Sequence, residues 1–148
     1  MTDEPTDREG SADFRPVYEN RVRFAETDMQ GVVFYGEYFT YQDEAVSAFL
    51  RAIDYHYDRM VERGWQIHVV NAELDYRAGA RFEDVVVNEI RVAAFGTSSV
   101  TFEHRARRRT DDRTLAEGTV THVAVDVETG DVTPIPDDFR EAVADFEG

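Results

Sequence analysis

Apolar residues recur every three or four positions from about Glu37 to Ile53, and this spacing predicts a helix. The residues on the repeat are Tyr38, Tyr41, Ala45, Ala48, Phe49, Ala52 and Ile53, and Phe39, Val46 and Leu50 widen the apolar surface. A helix that is apolar around so much of its circumference needs cover on several sides, which a curved sheet can supply. We therefore expect a long central helix.

A strand is predicted ahead of this helix, over Val17–Thr27, because Val22 and Phe24 alternate there with arginines. The residues that follow, Asp28-Met29-Gln30-Gly31, suit a turn. The first strand is thus expected to stop near Asp28.

After the central helix, the spacing of the apolar residues changes. Asp54–Arg63 predicts a shorter helix, with Gly64 at the position of a left-handed cap. Runs rich in β-branched and aromatic residues then predict four strands, namely Trp65–Tyr76, Asp84–Phe95, Ser98–Arg108 and Thr114–Val127. The joints between the last three are too short for crossover helices, so neighbouring strands should pair antiparallel.

Two prolines, Pro134 and Pro136, end the last strand, and Asp137-Asp138 begins a short terminal helix. One strand, a long helix and a four-stranded meander predict an α+β domain, in which a five-stranded antiparallel sheet wraps the central helix. This is the hotdog arrangement. We expect one such domain over residues 14–148, after an acidic and disordered tail over residues 1–13.

The net charge of the chain indicates the ionic environment of the protein and the partners it can bind. The formal net charge is −15, and every basic residue is Arg. Such an excess of carboxylates repels itself in dilute buffer but is screened in concentrated salt, where the Debye length at 1 M is about 3 Å. We therefore expect a salt-loving host, and the acidic surface argues against binding to nucleic acid.

Other features of the composition exclude whole classes of chemistry. Cysteine is absent, which excludes disulfides, cysteine-ligated metals and a cysteine nucleophile. No stretch approaches the roughly 20 apolar residues of a membrane span, so a cytoplasmic protein without a membrane segment is expected. The histidines lack metal-ligand spacing and no nucleotide-binding glycine motif is present, so we assign no metal and no cofactor.

The segment from Arg23 to Tyr38 reads RFAETDMQGVVFYGEY. It resembles the signature of the 4-hydroxybenzoyl-CoA thioesterase family of hotdog proteins. In that signature Thr-Asp, two variable residues, Gly-Val-Val, an aromatic residue and His or Tyr precede a further Tyr. The order of elements fits the family from about Tyr18 to Pro134, although Glu37 stands where the family commonly has Asn. The resemblance implies hydrolysis of an acyl-CoA thioester by dimers or tetramers with active sites between subunits.

Carried over by position, the catalytic carboxylate of the family falls on Asp28 and its His-or-Tyr position on Tyr35. The unpaired N–H groups at the start of the helix, those of Tyr35 and Gly36, could hold a developing oxyanion. Asp28 would then attack the thioester carbonyl or activate a water, and the sequence leaves both roles open. The alternative is that Asp28 only closes the turn.

Two segments are candidates for holding the phosphates of coenzyme A. Thr97 and Ser98 could do so through hydroxyl and backbone N–H groups, with a plain turn as the alternative. The second candidate, a run of arginines, could make bidentate phosphate contacts or pair with surface carboxylates; it comprises Arg105, Arg107, Arg108 and Arg109.

The resemblance and the predicted fold leave three functions to be compared. The first is an acyl-CoA thioesterase. The second is a non-hydrolytic protein that binds acyl-CoA or an acyl carrier, because the fold alone does not determine the function. A hydratase is disfavoured, since the Asp-then-His arrangement of hotdog hydratases is not visible in the first half of the chain.

Overall fold

The computed structural model of the chain describes the backbone at residues 6–7 and residues 14–148. Its helices are α1 (Glu37–Ala52), α2 (Tyr57–Glu62) and α3 (Asp137–Glu147), and a 3-10 turn spans Phe24–Glu26. Its strands are β1 (Thr6–Asp7), β2 (Arg15–Arg21), β3 (Trp65–Tyr76), β4 (Val85–Phe95), β5 (Ser99–Arg108) and β6 (Thr114–Asp126).

The strands form one antiparallel sheet in which β2, β4, β5, β6 and β3 are neighbours in that order. The two-residue strand β1 pairs with the end of β4, on the same side as β2. The predicted α+β hotdog fold, with a five-stranded antiparallel sheet around a long helix, is confirmed. Because β2 and β3 flank α1 in sequence but lie at opposite edges of the sheet, the chain crosses the sheet while it forms α1.

The core lies between α1 and the inner face of the sheet. Phe49 is fully buried on α1 and packs edge-on against Phe102 of β5 and Phe146 of α3, with ring centroids 5.7 and 5.4 Å apart. Burying a side chain of this size stabilises a fold by roughly 1.5–3 kcal/mol. The apolar repeat of the sequence therefore marks the face of α1 that meets the sheet.

The predicted first strand, Val17–Thr27, is wrong beyond Arg21. The chain leaves the sheet there and folds into the 3-10 turn, in which Phe24 is 75% exposed. The physical reason is the Glu26 carboxylate, which accepts a 2.9 Å hydrogen bond from the amide of Arg23 and so closes the turn. The alternation of apolar and polar residues cannot reveal such a contact.

The remaining predicted elements lie close to their expected places. Gly64 has a φ of 90°, as expected of the left-handed cap that ends α2, although this helix begins at Tyr57 and not at Asp54. The predicted disordered tail, residues 1–13, lies outside the described residues apart from the backbone of β1. None of the helices within the described residues is long and apolar enough to cross a membrane.

Candidate active site

Asp28 lies in a tight turn between the 3-10 turn and α1. Its amide donates to the carbonyl of Val32 over 2.9 Å, and the amide of Gly31 donates to the carbonyl of Asp28 over 3.0 Å. Gly31 has a φ of 81°, a left-handed conformation that glycine adopts without steric cost. The turn predicted at this position is therefore present, and it fixes the backbone of Asp28.

The Asp28 carboxylate is half-buried and makes one hydrogen bond within the described residues. Its Oδ1 atom accepts from the amide of Gln30 over 2.9 Å, so the side chain does close the turn. The Oδ2 atom has no protein donor among those residues. A carboxylate held by one oxygen and open at the other keeps lone pairs for a substrate or a water.

The arm that leaves this turn leads directly into α1. The amides of Glu37 and Tyr38 already donate, to the carbonyls of Phe34 and Tyr35 at 2.9 and 3.3 Å. The amides of Tyr35 and Gly36 donate to no acceptor within residues 14–148. Two unpaired donors therefore lie at the positive end of the α1 dipole, next to the turn that carries Asp28.

A groove of about 570 Å³ opens beside the start of α1. Tyr35 and Phe39 line one side, and residues 72–76 of β3 line the other. The Tyr35 ring is 63% exposed and meets the ring of Tyr76 edge-on, with centroids 6.2 Å apart. Asp28 does not line this groove, so a single chain does not bring the carboxylate and the groove into one cavity.

The aromatic residues beneath the groove serve packing more than proton transfer. Tyr38 is buried, its hydroxyl accepts from the amide of Ala80 over 3.3 Å, and its ring meets Tyr41 and Tyr76 edge-on. Burial raises the pKa of the Tyr38 hydroxyl. These phenols therefore stay neutral at neutral pH, and Tyr38 and Tyr41 share a buried cluster with Val33, which follows the turn.

Glu26 is a buried residue of the quoted motif to which the sequence analysis assigned no role. Its Oε1 atom accepts from the Tyr41 hydroxyl over 2.8 Å and from the Arg23 amide over 2.9 Å. Burial raises the pKa of the Glu26 carboxyl, but the hydrogen bonds from Arg23 and Tyr41 outweigh burial and hold it below its ordinary value. The sequence signal was a second carboxylate in the motif, three residues after Arg23 and two residues before Asp28.

Thr97 and Ser98 lie at the other end of β4 from Asp28. The amide of Val22, near the Asp28 turn, donates to the carbonyl of Asp84 just ahead of β4, whereas Thr97 lies two residues beyond the last residue of β4. The 11 residues of β4 span about 36 Å at the usual rise of a strand. Within one chain these candidate phosphate contacts are therefore far from Asp28, and their role stays a prediction.

The backbone of that distant turn is already engaged. Arg140 of α3 donates to the carbonyls of Gly96 and Thr97 at 2.7 and 3.0 Å, and the amide of Ile135 also donates to Thr97. The carbonyl of Ser98 accepts from the amide of Ala124. The turn thus anchors α3 and the segment ahead of it.

The arginine run pairs with carboxylates, as the second of its two interpretations predicted. Arg105 and Arg107 share Glu89, at 2.8 and 3.3 Å. Arg108 is held by Asp111 at 3.0 Å and by Asp84 at 3.6 Å, and Arg109 lies 3.3 Å from Glu19. These arginine side chains are therefore paired with carboxylates within the subunit.

No group of three or more His, Asp or Glu side chains is arranged to hold a metal ion across the described residues.

Comparison with known proteins now identifies the family. Residues 22–143 match the thioesterase-like superfamily, a span that includes the Asp28 turn, α1 and the whole of the meander. The chain belongs to the thioesterase-like superfamily. The predicted membership of a hotdog thioesterase family is confirmed, and with it the predicted class of enzyme, a thioester hydrolase.

Individual relatives of this thioesterase-like chain cover most of its length. The acyl-CoA thioesterase YbgC of Haemophilus influenzae is 28% identical over 116 residues, which are 78% of this chain and 82% of the relative. The solved structure of the Thermus thermophilus protein TT1821 is 33% identical, with a TM-score of 0.80, and covers 89% of this chain and 99% of that one. The gentisyl-coenzyme A thioesterase BH1999 is 29% identical, with a TM-score of 0.76, and covers 86% and 99%.

Proposed function

We propose that this protein hydrolyses an acyl-CoA thioester to a free acid and coenzyme A. Membership of the thioesterase-like superfamily supports a thioester substrate. Two relatives of 28 and 29% identity are named as an acyl-CoA thioesterase and a gentisyl-coenzyme A thioesterase, which supports coenzyme A as the thiol. No metal or organic cofactor enters the reaction proposed.

The observation that carries the proposal is that an open carboxylate lies on the turn that leads directly to two unpaired backbone donors at the start of α1. In the proposed reaction, the amides of Tyr35 and Gly36 bind the thioester oxygen and stabilise the negative charge that develops on it. The Tyr35 residue acts in this way through its N–H group. Donors fixed by the backbone need no rearrangement when the charge develops, which is the source of their effect on the rate.

Asp28 serves the same reaction in one of two ways. As a nucleophile, its carboxylate attacks the thioester carbon, expels the coenzyme A thiolate and forms a mixed anhydride that water then cleaves. As a general base, it removes a proton from a water that attacks the carbon directly, and the C–S bond then breaks to release the coenzyme A thiolate. The single hydrogen bond from Gln30 leaves one carboxylate oxygen available for either role.

A second subunit completes the proposed site. One edge of β3 pairs with β6, and no strand within the described part of the chain pairs with its other edge. That edge carries exposed apolar side chains, among them Val69 and Val70. An unpaired and apolar strand edge favours association with another chain, and we propose a homodimer, or a tetramer of two dimers, through β3.

The proposed setting is a cytoplasm rich in salt. Its support is the formal net charge of −15, with 31 acidic residues against 16 arginines. Screening at high ionic strength weakens the repulsion among these carboxylates. The enzyme should accordingly be assayed in molar KCl.

The deciding experiment measures release of the coenzyme A thiol from a panel of acyl-CoA esters. The Asp28→Asn variant should lose at least about 100-fold in kcat, because the amide neither attacks nor accepts the proton. The exposed Asp58 of α2 provides the matched control, and Asp58→Asn should keep full activity. Retention of activity by Asp28→Asn would contradict the role of Asp28. Tight binding of every ester without turnover by the wild type would favour the non-hydrolytic alternative.

A further inference from the structure

Glu26 connects three parts of the candidate site. Its carboxylate accepts from the hydroxyl of Tyr41, in the second turn of α1, and from the amide of Arg23. Its own carbonyl accepts from the amide of Phe34 over 2.8 Å. The side chain is thus attached to α1, and the backbone is attached to the arm that leads into α1. Asp28 follows two residues later.

The distance from this anchor to the reacting groups is short along the chain. Beyond the bond from Phe34 to Glu26, Thr27 bridges to Val33, and the amide of Asp28 donates to Val32. Phe34 is also the residue immediately before Tyr35. A shift of Glu26 is therefore transmitted to both arms, the one that carries Asp28 and the one that leads to the unpaired donors.

We propose that Glu26 is a positioning residue, whose hydrogen bond from Tyr41 sets the placement of Asp28 against the N–H groups of Tyr35 and Gly36. The inference rests on the proposed function, because it assigns Asp28 and those N–H groups to one reaction. Misplacement of a reacting group by about 1 Å can cost on the order of 100-fold in rate.

The burial of Glu26 and Tyr41 is consistent with a positioning role for their hydrogen bond. Glu26 is 7% exposed and Tyr41 is 2% exposed, so water does not replace the bond if one partner is removed. Arg23, the remaining partner, has a side chain that is 76% exposed. The ion pair with the Arg23 side chain is therefore screened by solvent. The bond from the Arg23 amide closes the turn, and the buried bond from Tyr41 ties the same carboxylate to α1.

Two substitutions at Glu26 separate hydrogen bonding from charge. Glu26→Gln keeps an oxygen that accepts from Tyr41 and from the Arg23 amide, and it loses only the exposed ion pair. We expect its kcat to stay within about threefold of the wild type. Glu26→Ala removes the acceptor and should lower kcat by roughly 10- to 100-fold with KM within about twofold, measured per folded molecule. Equal losses in both variants, or full kcat in Glu26→Ala, would overturn the proposal.

A more conservative variant, Tyr41→Phe, tests the same bond if Glu26→Ala does not fold. Tyr41→Phe keeps the ring and its contact with Tyr38 but deletes the hydroxyl, and it should also lower kcat severalfold at unchanged KM. Tyr55 provides the matched control, because it is another phenol that is 2% exposed and donates to a carboxylate, that of Asp138 over 2.8 Å. Tyr55→Phe should lower the melting temperature without changing kcat. An unchanged kcat in Tyr41→Phe would contradict the proposal.

The Asp28→Asn background distinguishes this inference from the proposed function itself. If Glu26 acts through Asp28, Glu26→Ala in Asp28→Asn should reduce the residual rate by less than about twofold. A further loss of 10-fold or more would show that Glu26 acts independently and would overturn the positioning role. If Asp28→Asn alone retains full activity, the proposed function has failed, whatever the result at Glu26.

Discussion

The amide of Phe34 donates to the carbonyl of Glu26 over 2.8 Å, and this bond joins the arm that enters the Asp28 turn to the arm that leaves it. One arm carries the carboxylate and the other ends at the unpaired N–H groups of Tyr35 and Gly36. The two chemical components of the proposed site are thereby held on one short hairpin. Backbone bonds between the arms set their spacing, and the Glu26 carboxylate ties the first arm to α1 through Tyr41.

The backbone of Tyr35, and not its hydroxyl, should matter for the rate. Tyr35→Phe should keep kcat within about threefold, because the exposed phenol can be removed while the N–H group remains. Replacement of Tyr35 by its α-hydroxy acid exchanges that N–H for an ester oxygen and should lower kcat by roughly 100- to 1000-fold. Thiol release by the two proteins gives the comparison. A larger loss in Tyr35→Phe than in the ester would contradict the oxyanion role.

Association through β3 should be required for activity. Val70 is 56% exposed on β3, and Val70→Glu would place a charge on the proposed interface and leave a 17.0 kDa monomer with at least 10-fold less activity. Val61, 51% exposed on α2, provides the matched control, and Val61→Glu should remain associated and active. Light scattering in 2 M KCl measures the mass. A fully active monomer would refute the shared site.

Much of this fold could be predicted because its signals are local. The apolar repeat identified α1 to within one residue, since Ala52 ends a helix that was expected to reach Ile53. The short connections between the last three strands predicted the antiparallel meander. The 3-10 turn was missed because it is closed by the Glu26 carboxylate, which accepts from the Arg23 amide and from the Tyr41 hydroxyl fifteen residues away. No pattern of apolar and polar positions reveals those bonds.

The candidate site was predictable only in part. A motif located Asp28 and the start of α1, and the structure joins them through backbone bonds. The motif did not reveal that Thr97 and Ser98 lie beyond the far end of β4, because that distance follows from how β2 and β4 pair. Nor did it reveal that Asp28 is outside the groove of its own chain, which depends on three-dimensional shape.

Acid should destabilise the protein through two buried histidines. Burial lowers the pKa of His104 to about 4, and burial with a smaller contribution from His68 lowers that of His122 to about 4. In the unfolded chain each histidine binds a proton near pH 6.5, whereas in the folded chain it does so only near pH 4. The free energy of unfolding therefore decreases as pH falls from about 6.5 towards 4. The loss is about 3 kcal/mol for each histidine at full extent.

Urea unfolding at several pH values and constant KCl tests this prediction. His104→Gln should unfold with a shallower dependence on pH over that window, because it removes one of the two groups. An unchanged slope in His104→Gln would show that His104 does not contribute to the loss.

Salt should stabilise the folded chain. With a net charge of −15, repulsion among carboxylates is strongest at low ionic strength and is largely screened above 1 M. The melting temperature should therefore rise by several degrees between 0.1 and 2 M KCl. A higher melting temperature in the dilute buffer would argue against a salt-rich setting.

A crystal structure of the Asp28→Asn variant with its best acyl-CoA substrate tests the central claim most directly. The account predicts that the thioester oxygen lies about 2.7–3.1 Å from the amide nitrogen of Tyr35 or Gly36, with the side chain at position 28 facing the carbonyl carbon. A thioester bound away from these amides, with that side chain turned towards solvent, would contradict it.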